Sequence, residues 1–400
     1  MAFLACLALL DGLSRWLEAV DPDLAVVLNP ANTDARIRRS VAALNDARSD
    51  KSAADIAEDL QFVVRYAPID PRAGSLLGEL ALRQGEVEQA TALFRRVLAQ
   101  SPTELHSLKR MISLELRSGG MATALSRLGI LLKRWPARFT EFADIFPPLM
   151  RTQDGYEAVL GAAGQDVAWR TRLLNHLAGD PQTGPLAYRL LLDLRNSQEP
   201  GTQGEVDRVV GLLLARGQPQ LAYQAFALST SPERQAELGY VTNPAFIPTA
   251  AASPFDWSVR RLAGVEARML PGPDGSEGSG GLHVQFRDRP VKGQIAQQVL
   301  MLPPGDLEMV AEITTQGLVT PKGLSWTVTC ERNRQTLGEL VVEPGNHERR
   351  SASASIKVPP AGCDMQWLRL STGVVAPSMR YRYGGSLTVH RLAVRLFDGE

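Results

Sequence analysis

Residues 71–104 read PRAGSLLGELALRQGEVEQATALFRRVLAQSPTE, and the punctuation of this stretch decides the fold of the first half of the chain. Leu77, Leu82, Phe94 and Leu98 recur at helical spacing on either side of Gly85. Gly85 tolerates the positive φ that stops one helix, and Pro102 cannot continue a second. The small residues Gly78 and Ala90 let two helices approach closely while the larger side chains fill the space between them. The stretch predicts two antiparallel helices joined by a tight turn.

Pro68, Pro102 and Pro136 stand 34 residues apart. Gly85 and Gly119 keep the same interval, as do Ala90 and Ala124, and Phe94 is matched by Leu128. Several coincidences in one register indicate a duplicated unit. Residues 105–138 are a degenerate copy with Ile112 at the position of Gly78. Residues 37–70 keep Pro68, Leu44 on the first helix, and Ile56, Leu60, Val63 and Val64 on the second. An echo in residues 209–228, VVGLLLARGQPQLAYQAFAL, repeats the spacing with Gly217, Ala222 and Phe226. Residues 140–198 are helical in composition but out of register, broken by Pro147, Pro148 and Pro181. Residues 15–235 therefore read as an α-solenoid.

The unit resembles a tetratricopeptide repeat, with Leu77–Gly78 at the paired Leu-Gly position, Gly85 in the turn, Ala90 and Phe94 on the second helix and Pro102 ending it. The resemblance implies a concave groove for a protein partner, lined by the first helix of each unit. Its groove positions fall on Arg38, Val41, Asn45, Arg48 and Ser49, then Arg72, Ser75, Glu79, Leu82 and Arg83. In the third unit they are His106, Lys109, Ser113, Leu116 and Arg117. The family's clamp for C-terminal carboxylates uses a Lys/Asn pattern that this chain does not reproduce. Residues 91–138 hold nine Lys+Arg against Glu104 and Glu115, a local excess of seven. Such a stretch is either a solvated face or a site for an acidic peptide, an anionic polymer or an anionic lipid surface.

After Tyr240 the period becomes two. Seventeen of the 34 glycines lie in the last 160 residues. Eight segments alternate in polarity between turn clusters: GLHVQFRD, QIAQQVLML, DLEMVAEITT, LSWTVTCER, GELVVE, ASASIKVP, MQWLRLS and SLTVHRLAVRLF. They predict an antiparallel β-sandwich of jelly-roll type over residues 256–400, with residues 236–255 as linker. The loop PGPDGSEGSGG (271–281) reads as a hairpin tip without phosphate-loop chemistry. NPAF (243–246), FDW (255–257) and LPPGDLEM (302–309) resemble the jelly-roll carbohydrate-binding modules. A similar order of apolar N-terminus, TPR-like helices and sandwich occurs among bacterial cell-envelope and exopolysaccharide proteins. That resemblance implies a protein partner in the groove and a glycan or second protein on the sandwich.

Alternation sorts the tryptophans. In LSWTVTC, Leu324, Trp326, Val328 and Cys330 share a face, which makes Trp326 core. In MQWLRL, Leu368 and Leu370 point inward and Met365, Trp367 and Arg369 outward. Trp367, joined by Arg369, Tyr381 and Tyr383, is the candidate glycan platform, since sugars offer C–H faces to aromatic rings and hydroxyls to Arg. An ordinary surface tryptophan is the competing reading. Cys330 and Cys363 are a candidate disulfide, and two buried free thiols are the alternative.

Residues 1–10, MAFLACLALL, are apolar without interruption. They read either as a packed helix or as a truncated membrane anchor within residues 1–14, ending near Arg15 and Trp16. This places the chain in the cell envelope, membrane-anchored or periplasmic, with a cytoplasmic location left open. Forty-three Lys+Arg balance 43 Asp+Glu, so nucleic acid is not an expected partner. The five histidines have no ligand at metal spacing, and no HExxH, GxSxG or phosphate-loop motif occurs. No catalytic residue, metal or cofactor is expected. A carboxylate pair among Asp256, Glu266, Glu308 and Glu312 is the residual glycosidase reading.

Overall fold

The computed structural model describes residues 2–46, 51–165, 167–230, 235, 238–249, 253–271 and 281–397. The chain divides into two compact units, Met1–Arg170 and Thr171–Glu400. In the first, successive helices are α1 (Ala2–Leu17), α2 (Pro22–Leu28), α3 (Thr33–Asn45), α4 (Ala53–Tyr66), α5 (Pro71–Arg83), α6 (Val87–Gln100), α7 (Leu105–Arg117) and α8 (Met121–Arg134). Short 3-10 turns lead to α9 (Phe146–Leu149) and α10 (Gln153–Ala163). The division falls within α11 (Val167–Ala178), and α12 (Gly184–Leu194), α13 (Gln203–Ala215) and α14 (Pro219–Ser229) belong to the second unit.

The repeat rests on one turn used three times. Gly85, Gly119 and Gly217 have φ of 82°, 83° and 73°. In each case the residue after the glycine donates its N–H to a carbonyl five residues back: Glu86 to Ala81 at 2.9 Å, Gly120 to Glu115 at 2.8 Å, and Gln218 to Leu213 at 2.9 Å. This is the Schellman closure, which satisfies the last carbonyls of a helix only if its C′ residue turns left-handed. Pro71 opens α5 at its first turn, where Asp70 caps by accepting from Arg72 N at 3.0 Å. Between α5 and α6 the approach is close: a Cβ on Gly78 would stand 2.6 Å from the Phe94 ring. One unit later the pair is Ile112 and Leu128, both buried, so a larger residue on the first helix accompanies a smaller one on the second.

The apolar N-terminus is helix α1. Ser14 on it is buried, its Oγ donating to Ala25 O at 2.7 Å and accepting from Asn32 Nδ2 at 2.9 Å. Leu9, Leu13, Trp16 and Val20 remain exposed, at helical spacing. No helix among the described residues is long and apolar enough to cross a membrane.

The strands are β1 (Ser258–Val259), β2 (Val265–Leu270), β3 (Gly281–Phe286), β4 (Gln294–Leu300), β5 (Gly305–Val319), β6 (Leu324–Cys330), β7 (Thr336–Val341), β8 (Gly345–Val358), β9 (Gln366–Thr372) and β10 (Gly384–Leu396). They form two antiparallel five-stranded sheets, β1-β4-β9-β6-β7 and β2-β3-β10-β5-β8. Their inner faces share one core containing Trp326, Leu368, Leu370, Leu307, Met309, Ile313 and Leu392. The eight alternating segments are β3 to β10; β1 is too short, and β2 too polar, to stand out by periodicity.

The described residues of the 236–255 segment pack on the elements that they join. Val241 and Phe246 lie in the sandwich core, and Phe255 packs on Tyr223 and Phe226 of α14 at ring distances of 5.2 and 5.5 Å. Thr242 exchanges both backbone hydrogen bonds with the Gln298 amide, at 3.1 and 2.7 Å. Trp257 Nε1 donates to Asn243 O at 2.8 Å. The helix-to-strand switch is thus not the division between compact units, because α14 is joined to the strands through aromatic packing.

Candidate functional site

The groove positions of the repeats bring together fewer free cations than the sequence suggested. Glu79 on α5 is 6% exposed. Arg110 Nη2 donates to its Oε1 at 2.7 Å, Arg110 Nε stands 2.6 Å from Oε2, His106 Nε2 is 3.2 Å from Oε2, and Arg83 Nε is 3.4 Å from Oε1. Arg83 also donates to Leu44 O. Arg72 reaches Asp70 and Asp34 at 2.6 and 2.7 Å, and Lys109 and Arg138 both hold Glu141. Asp59 takes Arg36 and Arg39, and Glu115 takes Arg127. Three of these carboxylates, Asp59, Glu79 and Glu115, are buried, so ion pairs within and between hairpins absorb the positive charge.

The excess of seven in residues 91–138 is therefore reduced by Glu79 and Glu141, which lie outside that window. Among the described residues, Arg38, Arg95, Arg96, Arg117, Lys133 and Arg134 have no carboxylate partner. Asn45 is exposed at the end of α3, and Arg48 and Ser49 lie outside the described residues. An acidic residue on an otherwise apolar helix face, as Glu79 is in α5, was the signal that could have revealed this neutralisation.

On the sandwich, the outer face of the β1-β4-β9-β6-β7 sheet carries the second candidate. Register places Gln297, Arg369 and Thr327 side by side in one cross-strand row, with Ser258 and Glu339 at its ends. The next row is Val299, Trp367 and Thr329. Trp367 is half-buried, and the Arg369 guanidinium lies 4.8 Å from its ring centroid. Arg369 Nη1 donates to Thr329 Oγ1 at 3.0 Å, while its buried Nε has no hydrogen-bond partner among the described residues. Burial pulls the Arg369 pKa down, yet the guanidinium remains a charged donor at neutral pH. The result is a flat ring beside a fixed row of hydrogen-bonding groups. Ser325, Thr327 and Thr329 were legible as a polar face from LSWTVTC, but a register shift between Gln294 and Ala296 hid the side on which Gln297 lies.

The tyrosines do not join this site. Tyr383 is fully buried, its hydroxyl donating to Gly323 O at 2.8 Å, and burial raises its pKa. That corrects its assignment to a glycan surface. Tyr381 packs against the core with Lys322 Nζ 4.6 Å over its ring. Both stand at the Thr372 end of β9, about 17 Å from Trp367 at ~3.3 Å per strand residue.

At the Trp367 end, Cys330 closing β6 is joined to Cys363, with Cα atoms 5.5 Å apart. The link ties the end of β6 to the segment entering β9. The carboxylates considered for catalysis are engaged elsewhere. Asp256 accepts from Asn243, Thr249 and the Trp257 amide at 3.2, 2.9 and 2.7 Å. Arg287, Arg395 and Arg349 hold Glu266, Glu308 and Glu312. The hydrogen bonds from Arg287 and Arg395 keep the pKa values of Glu266 and Glu308 below the ordinary glutamate range, the opposite of what a general acid requires.

No protein-family model matches the chain, and no curated protein matches it in sequence. Among solved structures, a CBM4 structure is similar at 12% identity and a TM-score of 0.28, covering 39% of this chain and 98% of its own. The CBM22-1 xylan-binding domain of Paenibacillus barcinonensis Xyn10C gives 12% identity and 0.25, over 36% of this chain and 87% of that one. Pseudomonas aeruginosa PilF gives 16% identity and 0.26, over 53% and 78%. At such identities and scores these likenesses say nothing of substrate or partner. The helical hairpins are TPR-like, and the two antiparallel sheets have jelly-roll topology.

Proposed function

We propose that the chain is a non-enzymatic binding protein of the bacterial cell envelope. Its TPR-like hairpins dock a protein partner, and its sandwich takes up a glycan on the outer sheet face at Trp367, in polysaccharide assembly or export. The observation that carries the glycan reading is the pairing of Trp367 and Arg369: a half-exposed ring and a charged guanidinium on one sheet face, in line with Gln297 and Thr327, offer an apolar surface and hydrogen-bonding groups to one hydroxyl-bearing ligand. The groove reading is supported by exposed Arg38 and Arg117, while the internal neutralisation of Arg72, Arg83 and Lys109 favours a polar partner over a strongly acidic one. The exposed apolar stripe of α1 and the Cys330–Cys363 link favour an envelope location.

The test is titration of the full chain against a panel of neutral and acidic bacterial polysaccharides by calorimetry. Binding by the unsubstituted protein that is lost in Trp367→Ala supports the glycan reading. A flat response across the panel removes it and leaves the sandwich as a protein-binding module, to be sought by crosslinking.

A further inference from the structure

The end of the sandwich opposite the Cys330–Cys363 link is built from three loops that hold one another. Tyr383 N donates to Arg289 O at 3.0 Å, Thr372 Oγ1 to Val291 O at 2.6 Å, and Gly373 N to Gly323 O at 3.4 Å. These contacts tie residues 287–293, 320–323 and 373–383 into one surface. It carries Arg289, Lys292, Lys322, Arg380 and Arg382, all exposed. None of these five pairs with a carboxylate among the described residues: Lys322 sits over Tyr381, and Arg382 Nε donates to Met379 O at 3.2 Å. Against them stand Asp288 and Glu343, the latter held by Arg350 at 2.7 Å. At its border Arg287 is matched to Glu266, and elsewhere on the sandwich Arg349 and Arg395 are matched to glutamates. In a chain of zero net charge, this end is a concentrated positive patch.

The same surface exposes aliphatic side chains at its tip, Val375 at 83% and Met379 at 59%. The aromatic rings are withdrawn from it, Tyr383 into the core and Tyr381 beneath Lys322. An anionic polysaccharide would be met by rings; an acidic bilayer is met by aliphatic side chains entering the headgroup region within a collar of Lys and Arg. We infer that this loop end of the sandwich docks on a membrane surface bearing anionic headgroups, with Val375 and Met379 inserting and the five cations contacting lipid phosphates.

The inference is independent of the glycan reading, because Trp367 lies about 17 Å away along β9. It is tested with the full chain and sedimented vesicles of phosphatidylcholine alone or mixed with phosphatidylglycerol. Binding should need phosphatidylglycerol, weaken as salt rises, and fall about thirty-fold in Arg380→Gln/Arg382→Gln, at roughly fivefold per cation. Arg289→Gln/Lys292→Gln, in a different loop, should give a comparable loss, and the salt dependence of the unsubstituted chain needs no variant. Binding that ignores phosphatidylglycerol, or that survives both double substitutions undiminished, overturns the inference; the latter would assign the contact to α1. So does capture by an acidic polysaccharide such as polygalacturonate with no binding to acidic vesicles.

Discussion

Arg369 and Trp367 illustrate how much a single position depends on its neighbours. Alternation in MQWLRL put both outside, and both are half-buried on that side. What alternation did not carry is that Gln297 and Thr327 flank Arg369 from two other strands, since register is a property of strand pairs. Trp367→Ala should weaken glycan binding about thirty-fold, roughly 2 kcal/mol, by calorimetry on the full chain, with an unchanged melting temperature. Arg369→Lys, which keeps the charge but loses the planar fork, should also weaken it; full retention would show that the guanidinium takes no part. Cysteine status is settled at the same scale. With Cys330 and Cys363 joined and Cys6 free, denatured unreduced protein should show one reactive thiol per chain, and three would refute the link.

For the helical hairpin, the informative pair is Gly78 and Phe94. A methyl at Gly78 would meet the fully buried Phe94 ring at 2.6 to 2.9 Å. Gly78→Ala should therefore destabilise by about 1–2 kcal/mol in chemical denaturation, despite the better helix propensity of alanine. Adding Phe94→Leu, the residue at the equivalent Leu128, should recover part of that loss, because the next hairpin already pairs a large residue with leucine. For the sheet, Glu266 is held by Arg287, just past the end of β3, and Glu308 by Arg395 on β10, and both have depressed pKa values. A group whose pKa is lowered on folding stabilises when ionised. That contribution is present at neutral pH and is lost as pH falls through and below the usual glutamate range. Thermal melts of the full chain should therefore fall on acidification, and Glu308→Gln should make the fall shallower.

At the scale of the molecule, charge is the organising variable. Zero net charge conceals two opposite arrangements. In the repeats, buried Asp59, Glu79 and Glu115 neutralise arginines of the hairpins. At one end of the sandwich, five cations have no carboxylate partner among the described residues. Glu79→Ala removes the anion shared by Arg83 and Arg110, and should cost about 1–3 kcal/mol of stability in denaturant titration, since the cations stay partly enclosed. A neutral effect would mean that solvent already screens the cluster.

The helical repeat, the turn glycines Gly85, Gly119 and Gly217, the switch to strands and strands β3 to β10 were all legible in the sequence. These are local: a left-handed glycine or an alternating run is dictated by backbone sterics and by the burial of one face. Three outcomes emerged only from the folded chain: which cations lack a partner among the described residues, that residues 238–249 and 253–257 help build the sandwich, and that Tyr383 belongs to its core while Trp367 does not. Those outcomes depend on partners far away in sequence, such as Glu79 for Arg110 or Gly323 for Tyr383. Neither periodicity nor composition encodes the register that brings them together.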